Sequence, residues 1–161
     1  MRSLFELDSF DLRILTALQN NARLSNKELA AQVGVAPSTC LDRVNRLRKN
    51  GVIRGYRLNV DPELVGRPLE ALLYVRVQPH RRSLVEPFVQ HVLMLPETRF
   101  VYHLTGPDDF LVHVTVENSR QLQRLVLDEL TNREEISLVH TNLIFQCWEG
   151  GPLLPPPDKT P

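Results

Sequence analysis

Residues 25–58 constrain the fold of this chain more than any other segment. Ser25 is followed three residues later by Glu28, a pair that can form a capping box at the start of a helix. Gly34 can adopt the positive φ that ends a helix, and Pro37 suits the first position of the next helix, where a missing N–H costs nothing. These signals predict two helices joined by a tight turn, which is the helix-turn-helix arrangement.

The second predicted helix carries its apolar and polar side chains on different faces. Apolar residues recur at three- and four-residue spacing and predict a buried face, made of Cys40, Leu41, Val44 and Leu47. The other face is polar and basic, and it suits the DNA major groove because short hydroxyls can approach base edges while arginines span the backbone. We therefore predict DNA binding by this face and the basic segment after it, through Ser38, Thr39, Asp42, Arg43, Asn45, Arg46, Arg48, Lys49, Arg54 and Arg57.

The distribution of charge favours DNA binding over the alternative of a solvated amphipathic helix pair. The chain has 161 residues and no net charge, which by itself argues against nucleic acid. However, residues 1–60 contain 10 basic and 5 acidic residues, whereas residues 61–161 contain 9 basic and 14 acidic ones. A basic part joined to an acidic part is typical of a DNA-binding module with a separate second domain.

Cysteine usage and hydropathy indicate a reduced, cytoplasmic protein. Cys40 and Cys147 lie far apart and in no metal-ligand spacing, so we predict no metal site and no cofactor. No apolar run is long enough to span a bilayer, and the first residues do not have the form of a signal peptide.

One more helix is predicted before the helix-turn-helix segment, and a strand after it. Asp8 can cap a helix that ends near Asn20 and Asn21. Three helices therefore precede Gly51, which is the usual size of a helix-turn-helix core. Residues 52–60 are predicted to form a strand that leads out of this domain.

The second half of the chain alternates strand and helix patterns. We predict strands at residues 71–78, 99–104, 110–116 and 138–147, and helices at residues 84–93 and after Ser119, the expected cap. The β-α-β-β-α-β order is ferredoxin-like, so the predicted fold class is α+β. Because such helices cover only one face of the sheet, we predict that the other face is buried in a homodimer, which assembles further to a tetramer or octamer.

Residues 7–58 resemble the N-terminal domain of the Lrp/AsnC transcriptional regulators, the leucine-responsive and asparagine-operon regulators. The matching residues stand at fixed spacing and include Leu7-Asp8, Asp11, Ile14-Leu15, Glu28-Leu29-Ala30, Val33-Gly34, Pro37-Ser38-Thr39, Arg43, Leu47 and Gly51-Val52-Ile53. One departure is Ala36, where the family commonly has a serine that caps the recognition helix. The resemblance implies a transcriptional regulator of double-stranded DNA and not an enzyme.

The resemblance extends to residue 147 and implies an amino-acid effector site in the second domain. The sequence Thr105-Gly106-x-x-Asp109-Phe110 matches a loop that helps to bind the effector in the family. Chemically, Gly106 exposes backbone amides to a carboxylate and Asp109 can pair with an ammonium group, although Gly-Pro-Asp-Asp would make a plain hairpin turn in any case. We predict an effector site formed by Gly106, Asp108, Asp109 and Thr141. Val139 replaces a threonine that the family usually has, which makes the polar lining thinner.

The predicted domain limits follow from these patterns. Residues 1–60 form a winged helix-like DNA-binding domain with its linker strand, and residues 61–69 form a hinge. Residues 70–148 form the ferredoxin-like domain for effector binding and oligomerisation, and residues 149–161 form a disordered, proline-rich tail.

Two other classes of protein stay open at this stage. An enzyme is one, because His103 and His113 would sit opposite each other on adjacent strands if residues 105–109 centre the hairpin. A few relatives of this fold, such as sirohaem decarboxylases, use histidines for porphyrin chemistry. The chain nevertheless shows no nucleophile motif, metal-ligand spacing or phosphate-binding loop. A pure interaction protein is the other class, and the basic helix face argues against it.

Overall fold

The computed structural model describes residues 5–78 and 82–156, and the chain divides into two compact units. Met1–Leu58 and Glu149–Pro161 belong to the first unit, and Asn59–Trp148 forms the second. None of the described helices is long and apolar enough to cross a membrane. The predicted domain limits stay predictions, and the return of the chain to the first unit after residue 148 was not expected from the sequence.

Three helices form the first unit in the described part of the chain: α1 (Ser9–Asn20), α2 (Asn26–Val33) and α3 (Pro37–Lys49). Asp8 caps α1, since its carboxylate accepts hydrogen bonds from the backbone N–H groups of Phe10 and Asp11, both at 2.9 Å. Ser25 and Glu28 form the predicted capping box at the start of α2. Both caps satisfy N–H groups that have no partner inside the helix.

The turn between α2 and α3 has the conformation that the sequence predicts. Gly34 has a φ of +81°, and no atom lies within 4 Å of the position that a Cβ would take. A side chain would therefore be opposed by the backbone conformation and not by a clash. Asn26 Nδ2 donates to the carbonyl of Pro37 at 2.7 Å and ties the start of α2 to the start of α3.

Helix α3 buries a narrower face than its apolar pattern predicts. Cys40 and Leu47 are fully buried, and Val44 packs at the edge of the same core. Leu41 is 49% exposed, so the prediction that it is buried is wrong. The reason is geometric: each helical residue is rotated by about 100° from the one before, which turns Leu41 away from a core centred on its neighbour Cys40.

No strand forms in residues 52–60, all of which the structure describes, so the predicted linker strand is wrong. Instead, the N–H groups of Val52 and Ile53 both donate to the carbonyl of Leu47, at 2.9 and 3.2 Å. Leu58 is exposed, because none of the described strands pairs with this segment. A strand depends on its partners, and β-branched composition alone does not supply them.

The segment after residue 148 contacts α1. The side-chain oxygen of Gln19 accepts from the N–H of Leu153 at 2.8 Å, and its nitrogen donates to the carbonyl of Leu153 at 3.1 Å. Leu153, Leu154 and Pro155 line a groove of about 980 Å³ together with residues of α1 and of the segment after α3. Disorder stays a prediction for residues 157–161, which lie outside the described residues, whereas Leu153 has a defined contact.

In the described part of the second unit, four strands and two helices alternate in the predicted β-α-β-β-α-β order. They are β1 (Leu69–Val77), α4 (Arg82–Met94), β2 (Thr98–His103), β3 (Phe110–Val116), α5 (Ser119–Arg124), which continues as a π-helical segment over Leu125–Thr131, and β4 (Ile136–Leu143). The sheet is antiparallel with the strand order β2-β3-β1-β4. The predicted ferredoxin-like α+β fold is therefore confirmed.

One predicted detail of these helices differs from the structure. Asn118, and not Ser119, caps α5, because its side-chain oxygen accepts from the N–H of Gln121 at 3.0 Å. Pro87 is the sixth residue of α4 and lies inside the helix.

The register of the sheet gives it two different faces. On one face, a row across the four strands consists of Val101, Val112, Leu73 and Thr141, and the next row of His103, Phe110, Val75 and Val139. The residues of β1 and β3 in these rows are buried with side chains of α4 and α5. The opposite face carries Tyr102, Leu111, Tyr74 and His140 in one row and Phe100, His113, Leu72 and Asn142 in the next. Phe100 and Tyr102 are 40% and 48% exposed, so this apolar face is partly open.

Ala36 begins α3 without a side-chain cap, although its backbone has the extended conformation of an N-cap. We expect Ala36→Ser to stabilise the first unit by about 1 kcal/mol, because the hydroxyl would accept from an N–H group that has no helical partner. Urea denaturation followed by circular dichroism measures the change. Ser25→Ala is the matched control, since it removes the cap of α2 and should destabilise by a similar amount. An Ala36→Ser protein no more stable than the parent would contradict the expectation.

Candidate DNA-binding and effector sites

The outer face of α3 is the candidate DNA-binding surface. Nine of the ten predicted residues are exposed, namely Ser38, Thr39, Asp42, Asn45, Arg46, Arg48, Lys49, Arg54 and Arg57. Ser38 and Thr39 lie in the first turn of α3, where backbone N–H groups without helical partners favour an anion. Arg54 and Arg57 lie in the irregular segment after α3. These nine side chains are therefore accessible to solvent on the surface of the unit.

Arg43 is the exception, because two aspartates at the start of α1 hold it. Its Nη1 donates to Asp8 Oδ2 at 2.6 Å and to Asp11 Oδ1 at 2.9 Å. The Phe10 ring centroid lies 5.2 Å from the guanidinium carbon, and the Arg43 side chain is 23% exposed. Arg46, one turn later, donates to Asp11 Oδ2 but remains 46% exposed, whereas the Asp11 side chain is fully buried.

This contact favours the ionised forms of Asp8 and Arg43. Burial alone raises the pKa of Asp8, but hydrogen bonds from the Asp11 N–H and from Arg43, together with the charge of Arg43, hold the pKa below its usual range. The Asp8 carboxylate raises the pKa of Arg43 further above neutrality despite partial burial of the guanidinium. Both groups are therefore ionised at neutral pH, and the ion pair is formed.

The candidate effector loop joins β2 to β3. The N–H of Leu104 donates to the carbonyl of Asp109 at 2.8 Å and closes the hairpin. Asp109 also binds β1 twice: its N–H donates to Val75 O at 3.0 Å, and its Oδ2 accepts from the Val77 N–H at 2.7 Å. Gly106 has a φ of +146° with open space at the Cβ position, so the backbone conformation requires glycine there.

Arg76 of β1 binds this loop, a contact that was not predicted from the sequence. Its Nε donates to the carbonyl of Pro107 at 2.6 Å, and its Nη2 donates to the Asp108 carboxylate at 3.3 Å. The alternating pattern places Arg76 on the same face as Tyr74, but it does not indicate a partner more than thirty residues away. A charged residue near the end of a largely apolar strand is the signal that could have drawn attention to it.

The structure does not place Thr141 beside the other predicted effector residues within this chain. Thr141 lies on the edge strand β4, opposite Leu73 of β1, and β1 separates it from β3, where the loop ends. Gly106, Asp108 and Asp109 do share the loop. Three of the four predicted effector residues therefore share one loop, and the effector site stays a prediction.

His103 and His113 lie on opposite faces of the sheet, so the prediction that they face each other is wrong. His103 pairs with Phe110 and stacks on its ring at 4.7 Å. His113 stacks on Phe100 at 5.9 Å, and its Nε2 lies 2.8 Å from Glu70 Oε2. The pairing partner of His103 is Phe110, which lies three residues before His113 on β3. Because successive side chains of a strand alternate between faces, a separation of three residues places His113 on the other face.

Both units match families of known proteins. Residues 7–54 match winged helix-turn-helix DNA-binding domains, and residues 70–148 match the Lrp/AsnC ligand binding domain. The HTH-type transcriptional regulator AldR of Mycolicibacterium smegmatis is 40% identical over 145 residues, which cover 90% of this chain and 85% of AldR. The leucine-responsive regulatory protein of Rhizobium meliloti is 36% identical over 141 residues, or 88% of this chain and 90% of that protein. A similar crystal structure is that of a Neisseria meningitidis transcriptional regulator in complex with L-Met. Its TM-score is 0.86 and its sequence identity is 30%, and the alignment covers 93% of this chain and 97% of that chain.

A DNA-binding transcriptional regulator is the class of protein that these two units define together, since an exposed recognition helix is combined with a ligand-binding domain. More specifically, the chain belongs to the Lrp/AsnC family of transcriptional regulators. The resemblance read from the sequence is therefore confirmed. The relatives are regulators and not enzymes, which also confirms the prediction that this protein is not an enzyme.

Proposed function

We propose that this protein works in the cytoplasm as a homo-oligomer that binds double-stranded DNA and changes its assembly or DNA affinity when an amino acid binds. The single observation that carries the proposal is the exposed, basic outer face of α3 in a chain whose second unit matches a ligand-binding domain. In this proposal, base edges are read by Ser38, Thr39 and Arg46, and phosphates are bound by Arg48, Lys49, Arg54 and Arg57.

The basic segment after α3 gives the DNA-binding proposal a quantitative test. Arg54→Gln and Arg57→Gln should each reduce the magnitude of the slope of log K against log salt by about 0.9. Each variant neutralises one phosphate fewer, so binding releases fewer counterions from the DNA. Fluorescence anisotropy measures this slope, with a labelled duplex from the region upstream of the gene that encodes this protein. Arg99→Gln, an exposed arginine of the second unit, is the control and should leave the slope unchanged. Unchanged slopes in the first two variants would remove this segment from the DNA surface.

An amino-acid effector is supported by the relatives and by the chemistry of the β2–β3 loop. One relative is named as a leucine-responsive regulator, and a similar structure holds L-Met. In this chain the Asp109 carboxylate accepts a hydrogen bond from the N–H of Val77 at the end of β1. A carboxylate has about four lone-pair sites, so it can accept an ammonium group as well. The backbone of Gly106 lacks a side chain that would hinder a ligand carboxylate.

Asp109→Asn is the informative variant at this loop. The amide oxygen can still accept from the Val77 N–H, so the loop keeps its attachment, while the charge that would attract an ammonium group is lost. We expect the parent protein to show a thermal shift with at least one of the twenty amino acids and the variant to lose it. That amino acid should change DNA affinity by roughly 5- to 150-fold in the parent. Glu117→Gln is the control with the same change of charge. No shift with any amino acid in the parent would contradict the amino-acid proposal.

A homo-oligomer is supported by the open face of the sheet. Phe100 and Tyr102 are exposed there beside the apolar side chains of Leu72 and Leu111. An apolar patch across a sheet is typical of a protein–protein interface. Two copies paired in this way can present two recognition helices to half-sites about 34–36 Å apart, or a multiple of that spacing.

Light scattering at micromolar concentration tests the interface. We expect the parent to have at least twice the mass of the chain, and Tyr102→Glu to shift the equilibrium towards the monomer, because a buried carboxylate without a partner is costly. Met94→Glu is the control, since Met94 is an exposed apolar residue of α4. A monomeric parent, or a Tyr102→Glu protein with the parent's mass, would count against an interface on this face.

A further inference from the structure

We infer that Asp11 is a positioning residue for DNA recognition, a buried acid that sequence-specific binding requires. The inference rests on the proposed DNA-binding role of α3. Asp11 is the third residue of α1, and its carboxylate accepts from Arg43 through Oδ1 and from Arg46 through Oδ2. Oδ2 also accepts from the Asp8 N–H at 3.2 Å. A fully buried carboxylate is tolerated because these three donors surround it.

The two arginines make this carboxylate a mechanical link between helices. Arg43 and Arg46 are three residues apart, so they lie on the same face of α3. One carboxylate of α1 thus holds two successive points of α3, which fixes the rotation of α3 about its own axis. Aromatic rings keep the planar guanidiniums in place, since Phe10 lies 5.2 Å from Arg43 and Phe5 lies 5.4 Å from Arg46.

The charges show which of the two arginines is presented to DNA. Asp8 and Asp11 balance the charges of Arg43 and Arg46, so these arginines add little to the attraction of phosphates. Arg43 is bonded to both carboxylates and would have to leave both to reach a base. Arg46 is bonded to one carboxylate and is twice as exposed as Arg43. Both arginines line an open cleft with Thr39 and Asp42. Arg43 therefore holds α3, while Arg46 is the more accessible of the two from this cleft.

Asp11→Asn separates this role from simple electrostatics. Removing an acid from a DNA-binding surface raises its net positive charge, which by itself tightens binding. We expect sequence specificity, in contrast, to decrease. The ratio of affinity for selected DNA to affinity for random DNA should fall by about tenfold or more, which is roughly the effect of one mismatched base pair. Glu6→Gln, the same charge change at an exposed residue before α1, should keep the parent's ratio.

The DNA probes are duplexes that the full-length parent protein selects from a random-sequence pool, and random duplexes of the same length. Circular dichroism of each variant checks that the helices are intact. A folded Asp11→Asn protein with the parent's specificity ratio would overturn the inference. A parent that selects no sequence would overturn the proposed DNA-binding function itself, which is a different result from failure of the variant alone.

If Asp11→Asn does not fold, Arg43→Lys is the second variant for this test. The lysine keeps a cation beside both carboxylates. The lysine ammonium group can contact both carboxylates, but it is not planar, cannot stack on Phe10 as a guanidinium does, and has rotatable donors, so it holds the two carboxylates less rigidly. We expect weaker discrimination at several positions of the selected site together with an unchanged salt slope. A loss confined to one base position would show that Arg43 reads a base directly. That result, or an unchanged ratio, would contradict a positioning role.

Discussion

A buried carboxylate joins the start of α1 to α3, and the geometry of the proposed DNA-binding surface depends on it. Asp11 closes the capping box of α1 and at the same time accepts from two arginines of α3. Because a buried charge without partners is strongly unfavourable, these contacts resist any rotation of α3 that would break them. The exposed polar face of α3 is thus fixed from its inner side, by groups that need not touch DNA themselves.

Strand β1 has the corresponding role in the second unit. It pairs with both β3 and β4, and its buried side chains form the centre of the core. The same strand holds the β2–β3 loop, through the N–H of Val77 and the side chain of Arg76. Its outward side chains, Leu72 and Tyr74, belong to the open face of the sheet. The proposed effector loop and the proposed oligomer interface therefore share one rigid element.

Local signals in the sequence determined the helices, the turn and the order of the strands. Capping depends on residues three apart, and a glycine or proline acts on its own backbone, so these features can be read without knowing the fold. The Asp8, Ser25 and Gly34 predictions are confirmed for this reason. The exposed basic face of α3 was also predictable, since helical periodicity separates it from Cys40 and Leu47. The same residues at the same spacing identified the family.

Only the tertiary structure decided features that join residues distant in the chain. The strand predicted at residues 52–60 is absent because no described strand pairs with it. The hairpin register placed His103 and His113 on opposite faces, since the loop length sets the register and one face of the sheet is buried. Arg43 was predicted to bind DNA because of its position on the polar face of α3. Its partners in the structure, Asp8 and Asp11, lie more than thirty residues earlier in the chain. Periodicity shows which way a side chain points on its own element, and only packing of the elements shows what it meets there.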